Sequence, residues 1–255
     1  MILTDTHTHL YSEQFDEDRR TVIQKAIDAG IERFFIPAID KSYYKSMFDL
    51  KRDFPDHIFL MSGLHPTHVK EDYLEELEVV RKNIETGSFC GIGEIGIDLY
   101  WDKSYLVQQQ DAFRKQIQWA KELNLPIAIH CREAFEPIFE ILEEEQDKKL
   151  FGIFHCFTGN KEQAERAIRL NMKLGIGGVV TFKNGKIDQF IKHIPLDHIV
   201  LETDSPYLAP APYRGKRNES IYLLKVAEKL SEIYGLDIEE LAKITTENSR
   251  QIFKV

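Results

Sequence analysis

Cysteine is scarce in this chain. Cys90, Cys131 and Cys156 are an odd number at no framework spacing, which excludes a disulfide scaffold and fits reduced thiols. No apolar run approaches the length that crosses a bilayer. A charged residue is reached by Asp5, which leaves no hydrophobic segment of a secretion signal; the expected location is the cytoplasm. Basic residues are outnumbered, 33 Lys and Arg against 42 Asp and Glu, for a net charge of −9. The surface as a whole therefore does not attract nucleic acid or anionic membrane, and a phosphate-bearing substrate must be drawn locally, by bound metal or a few basic loop residues. Linkers, low-complexity tracts and internal repeats are absent, and no G-x-G-x-x-G occupies the first strand–helix turn, which argues against a dinucleotide-binding sheet.

What is present is a regular alternation. Short apolar runs predict strands over Ile2–Thr6, Arg33–Ala38, Ile58–Gly63, Cys90–Gly93, Pro126–His130, Phe151–His155, Lys173–Gly177 and Ile199–Glu202. Amphipathic stretches between them predict helices near 16–29, 41–53, 71–86, 105–123, 133–146, 160–170 and 218–234, with a weaker pattern near 185–192. A final helix is expected near 237–247, followed by Ser249–Phe253. Strand–helix alternation implies parallel pairing with right-handed crossovers. Eight such units in 255 residues match the size of a (β/α)8 barrel, here one domain spanning 1–255.

The chemistry-bearing residues fall where such a barrel keeps its site, at the C-terminal ends of the strands. Asp5-Thr6-His7-Thr8-His9 follows an apolar lead-in, and period-two alternation puts Asp5, His7 and His9 on one face. His65 follows the third predicted strand, Glu94 the fourth; His130 and His155 end the fifth and sixth, and Asp204 follows the eighth. Each alone reads as a hydrogen-bonded neutral histidine or a turn carboxylate; together at one rim they read as a metal site. Four imidazoles and two carboxylates exceed one catalytic zinc, which takes three protein ligands and water. They suit two divalent ions about 3.5–4 Å apart. Glu94 is the natural bridge, with Gly91, Gly93 and Gly96 around it leaving room for close approach. Cys131 and Cys156 each follow a candidate ligand by one position, so alternation turns them toward the helices as small hydrophobes. Arg132, two residues beyond His130, returns to the site face, where it either forks onto a phosphate or pairs with a loop carboxylate. The basic run Tyr213–Glu219 lies in the loop after the eighth strand, as a solvated segment or a substrate contact. Trp101 and Tyr207 are loop aromatics that either pack or stack on a base.

Taken in order, Asp5–His9, Gly63-Leu64-His65-Pro66, Gly93–Asp98, Pro126–Arg132, His155–Gly159, Glu202–Pro206 and Arg214–Glu219 make the whole chain resemble the TatD family of metal-dependent hydrolases, in the wider amidohydrolase-like barrel group. The resemblance implies metal binding by His7, His9, Glu94, His130, His155 and Asp204. It also implies DNase activity, often 3′-to-5′ exonuclease action, with His65 and Arg132 near the scissile phosphate. Two positions depart from the family pattern: Tyr11 stands where Asp or Asn is common, and Ser220 stands where the last loop commonly has Pro.

The favoured expectation is a two-metal phosphodiesterase acting on DNA, with Glu94, Asp204, His65 and Arg132 as catalytic residues and zinc, manganese or magnesium as the ions. In it, His7, His9, Glu94 and Asp204 hold one ion and Glu94, His130 and His155 the other. The alternative keeps the metals and attacks an acyl or amide carbon, as in an amidohydrolase or a D-aminoacyl-tRNA deacylase. Glu94, standing where many relatives of the wider group carry a modified lysine, favours the first. A non-catalytic metal-binding barrel is opposed by the complete ligand set, and a histidinol-phosphatase-like enzyme by the lack of a His-rich motif after Asp204. Nothing in the sequence demands an obligate partner or more than a monomer.

Overall fold

The computed structural model describes the whole chain, Met1–Val255. Eight parallel strands pair in sequential order: β1 Leu3–Asp5, β2 Ile31–Pro37, β3 Ile58–Ser62, β4 Gly91–Asp98, β5 Ile127–Arg132, β6 Gly152–Phe154, β7 Met172–Ile176 and β8 Ile199–Leu201. The Thr6 backbone N–H donates to the Leu201 carbonyl at 3.0 Å, which draws β1 beside β8 and nearly closes the barrel. The outer helices are α1 Arg19–Asp28, α2 Tyr44–Asp53, α3 Tyr73–Glu85, α4 Leu106–Leu123, α5 Phe135–Glu144, α6 Lys161–Arg169, α7 Leu223–Tyr234 and α8 Ile238–Phe253.

Alternation along the strands divides the core in two. Phe34 and Ile36 of β2 join the large layer between strands and helices. Phe35, between them, joins Met61, Ala128, Ile153 and Val200 in a small cluster from the barrel interior. Ile252 and Phe253, in the last turn of α8, seal that cluster; the Phe253 ring stacks 3.9 Å from Phe35. Truncating Phe253 to alanine removes this seal, at a cost of about 3–5 kcal/mol for a buried Phe.

Three expected elements differ. No α-helix forms near 185–192; two single 3-10 turns, Ile187–Gln189 and Ile191–His193, stand there. Lys186, in the left-handed region (φ 57°), interrupts a continuous helix at its start, and Pro195 follows. The final helix runs unbroken through Ser249 to Phe253. Most consequentially, β4 continues past Gly93 to Asp98, so Glu94 lies inside a strand and not at its end. A glycine-rich run with two acids reads as a strand terminus in sequence, but pairing of Ile95–Asp98 with Ile129–Arg132 carries the strand on. Gly96 is essential to that pairing: its φ is +140°, and a Cβ there would sit 2.1 Å from the His130 carbonyl oxygen.

Candidate metal centre

The strands deliver the polar residues to one end of the barrel, where a cavity of about 620 Å³ opens. Its walls include His9, His65, Glu94, His130, His155 and Asp204. His7, fully buried, stands behind them. Glu94 is the hub and is only 2% exposed. Its Oε2 lies 3.0 Å from His7 Nε2 and 3.5 Å from His9 Nε2. Its Oε1 lies 2.7 Å from His130 Nδ1, 2.9 Å from His155 Nε2 and 3.2 Å from His65 Nε2. Asp204 reaches in from the left-handed turn after β8 (φ 57°) and sets Oδ1 3.5 Å from His9 Nε2. The two oxygens of one carboxylate thus divide five histidines into two sets.

Which imidazole nitrogen carries a hydrogen follows from the outer partners. The Tyr11 hydroxyl donates to the Pro37 carbonyl at 2.9 Å and so accepts from His9 Nδ1, also at 2.9 Å. His9 Nε2 is then the lone-pair nitrogen, facing Glu94 and Asp204. Asp98 Oδ2 takes His130 Nε2–H at 2.9 Å and leaves Nδ1 facing Glu94. Glu202 Oε1 lies 3.3 Å from His155 Nδ1, close enough to act as a charge, but Nδ1 makes no hydrogen bond. His9 and His130 are held as metal-binding histidines ordinarily are, with the outer N–H on a carboxylate or hydroxyl. His65 is built oppositely. The Thr67 backbone N–H donates to His65 Nδ1 at 3.1 Å, so Nε2 bears the hydrogen and presents a donor to the cavity.

The donor set fits divalent cations. Burial pushes His7 down to about 3, helped by His155 against the pull of Glu94. Burial likewise takes His65 down to about 4. Burial works against charge on Glu94 too, but the surrounding histidines outweigh it and hold the carboxyl well below the usual range. Burial opposes protonation of His155, yet Glu94 and Glu202 outweigh it and raise this imidazole well above its ordinary value. Without an ion, the buried carboxylates gather protons to balance their charge, and a divalent cation competes for the same lone pairs. His7 Nδ1 is buried with no hydrogen-bond partner. Groups able to hold an ion are His7–His9–Glu94, His7–His155–Asp204 and His65–Glu94–His130.

The other expected residues fall into place in different ways. Asp5 shares the motif but not the cavity: it accepts from the Thr203 backbone N–H and from the hydroxyls of Thr203 and Ser220, tying β1 to the loop after β8. Burial raises its carboxyl to about 7. Ser220 thus takes a structural hydrogen bond where the family pattern has Pro. Cys131 and Cys156 enter no ion-holding group, but both border the cavity. For Cys156 the left-handed turn after β6 (φ 44°) replaces the expected alternation. Arg132 makes no ion pair; its guanidinium lies 3.8 Å over the Tyr100 ring and 5.4 Å from that of Trp101. Trp101 is 69% exposed and Tyr207 49%, both on the cavity wall. In the basic run, Arg217 is a structural brace on Asp18 and Glu219, at 2.7 and 2.9 Å.

Three supporting residues escaped the sequence reading: Tyr11, Asp98 and Glu202. A signal existed. Tyr11 is two residues from His9, Asp98 four from Glu94 and Glu202 two from Asp204, even separations that favour a common face.

Comparison with known proteins agrees with this geometry. Residues 4–254 match the family described as TatD related DNase. The uncharacterized metal-dependent hydrolase YabD of Bacillus subtilis is 40% identical, over the full length of both chains. The 3′-5′ ssDNA/RNA exonuclease TatD of Erwinia tasmaniensis is 32% identical, over 98% of this chain and 99% of that one. The crystal structure of the TatD homolog YJJV of Escherichia coli superposes with a TM-score of 0.93, at 27% identity, covering 99% of this chain and 98% of that one.

Proposed function

This chain belongs to the TatD-related DNase family of metal-dependent hydrolases, and from that premise we propose that it is a phosphodiesterase cleaving single-stranded nucleic acid, DNA in the first instance. The observation that carries the reading is the division of the histidines between the two oxygens of Glu94. His7, His9 and Asp204 gather on the Oε2 side and His130 and His155 on the Oε1 side, with Glu94 common to both. Two divalent ions held there, zinc, manganese or magnesium, would supply Lewis acidity and lower the pKa of water at the site.

The chain's own residues do the rest. Asp204 stays ionised: burial opposes its charge, but the neighbouring His9, His155 and His7 together outweigh it; at the cavity wall it accepts the proton of the attacking water, a general-base role. His65 presents Nε2–H toward the cavity and stabilises charge developing on the phosphoryl oxygens. Arg132, held over the Tyr100 ring with Trp101 alongside and free of a carboxylate partner, grips a non-bridging phosphate oxygen pair. The name of the Erwinia relative supports a 3′-to-5′ direction of attack on single strands.

The test is a side-by-side assay of wild type and Glu94→Gln on single-stranded DNA, RNA and a D-aminoacyl-tRNA, with zinc, manganese and magnesium in turn. Cleavage of phosphodiesters by wild type alone supports the proposal. Deacylation without phosphodiester cleavage overturns it.

A further inference from the structure

Beside the metal cavity lies a second one, of about 1030 Å³, which the site described above does not use. Thr158 and Val179 line both, so the two share a wall. The second cavity forms where the loop after β7 meets the loop after β8. The join is fixed: the Ala211 backbone N–H donates to Thr181 Oγ1 at 2.8 Å. Lys183, Lys186 and Arg214 stand on its walls, and no Asp or Glu does.

These three cations differ from most others at the barrel mouth. Arg217, Lys41 and Lys70 all face carboxylates. Lys183, Lys186 and Arg214 make no ion pair, although the chain carries nine more acidic than basic residues. Like charges gathered around one cavity repel one another, and a complementary charge from outside relieves that repulsion. Arg214 also sits over Phe182, its guanidinium carbon 3.5 Å from the ring centroid. A guanidinium backed by an aromatic ring offers a planar face on which a base can stack. Repeated cations together with a stacking plane match a strand of nucleotides better than an isolated phosphate or an acidic peptide.

We propose that this second cavity holds the nucleotides of a single-stranded nucleic acid that continue beyond the bond being cut, with Lys183 and Lys186 on phosphates and Arg214 on a phosphate or a base. The proposal rests on the phosphodiesterase reading and adds to it a grip that depends on substrate length.

The test measures binding separately from cleavage. Fluorescent oligothymidylate, long or cut to the dinucleotide, is titrated into chelator-treated wild type and into the triple variant Lys183→Ala, Lys186→Ala, Arg214→Ala, with anisotropy read across a series of salt concentrations. The long strand is expected to bind wild type more tightly than the dinucleotide does, and the triple variant is expected to lose most of that advantage. The slope of log affinity against log salt should fall by about 1.4 if Arg214 stacks on a base and by about 2 if it holds a phosphate, since each single-strand phosphate contact contributes about 0.7. Lys183→Arg with Lys186→Arg should keep wild-type behaviour. An unchanged slope and an unchanged length advantage in a variant that melts like wild type would overturn the proposal. So would competition by polyglutamate as effective as that by oligothymidylate, which would assign the cavity to acidic peptides. If the metal-loaded wild type cleaves neither nucleic acid nor bis(p-nitrophenyl) phosphate, the phosphodiesterase reading fails, while the anisotropy still decides what the cavity binds.

Discussion

Asp98→Asn isolates the support of a candidate ligand from the ligand itself. Asp98 is 1% exposed. Its Oδ2 takes His130 Nε2–H at 2.9 Å, while Oδ1 accepts the backbone N–H groups of Tyr100 and Trp101 at 2.9 and 3.2 Å. Asparagine keeps the shape and, with its oxygen on the two backbone donors, turns an amide N–H₂ toward His130. That nitrogen cannot accept, so His130 must carry its hydrogen on Nδ1, the atom 2.7 Å from Glu94 Oε1. A protonated Nδ1 has no lone pair for a cation. Flipping the amide would rescue His130 only by setting N–H₂ against two backbone donors. Loss of such an orienting carboxylate costs roughly 10–100-fold in metal affinity or activity, or about 1.4–2.8 kcal/mol. Zinc or manganese affinity from competition with a chromophoric chelator, together with kcat/KM on bis(p-nitrophenyl) phosphate, measures it, and circular dichroism melting checks the fold. A folded variant with wild-type affinity and rate would refute the role assigned to Asp98.

Gly96→Ala places a Cβ against the His130 carbonyl at a positive φ; strain and clash together should cost at least about 3 kcal/mol, seen as a large loss of stability in urea or as insoluble protein. Chelation should lower the melting temperature of metal-loaded protein by roughly 5–10 °C, from about 2.7 kcal/mol of linkage at a hundredfold excess over Kd and about 2–4 °C per kcal/mol at this size; a melt indifferent to chelator argues against a metal bound to the native state. Asp40 receives His68 Nδ1 at 2.6 Å and the Ser42 N–H and hydroxyl. Burial opposes its charge, but these bonds outweigh burial and take its carboxyl down to about 2. Its folded value is thus depressed below the unfolded one of about 3.9, so the stability it contributes is present above pH 4 and lost as pH falls toward about 2. Because the side chain is 18% exposed, the gap between wild type and Asp40→Asn should be no more than about 2 kcal/mol near neutral pH, closing in acid; urea unfolding at both pH values measures it.

The eight strands could be read from the sequence because parallel strands buried on both faces are apolar almost throughout, as in Ile127-Ala128-Ile129 or Ile199-Val200-Leu201. The far half of β4 could not, because Glu94, Gly96 and Asp98 mimic a loop when their neighbours in space are unknown. The site was visible as residue types returning at strand ends. Which nitrogen of each histidine faces inward was not, since that depends on Tyr11, Asp98 and Glu202 across separations that only folding closes. Tyr11 shows the limit most plainly: its spacing from His9 signals a shared face, but its hydroxyl also couples His9 to the Pro37 carbonyl of the neighbouring strand, a partner that only folding brings near. The grouping of His155 with His7 and Asp204, its ring stacked 3.7 Å from His7, was equally out of reach.

Anomalous scattering from crystals grown with zinc or manganese bears most directly on the shared role of Glu94. Two peaks are expected, one beside Oε2 with His7 and His9, the other beside Oε1 with His130 and His155. A single peak, or none, would contradict a carboxylate shared between two ions.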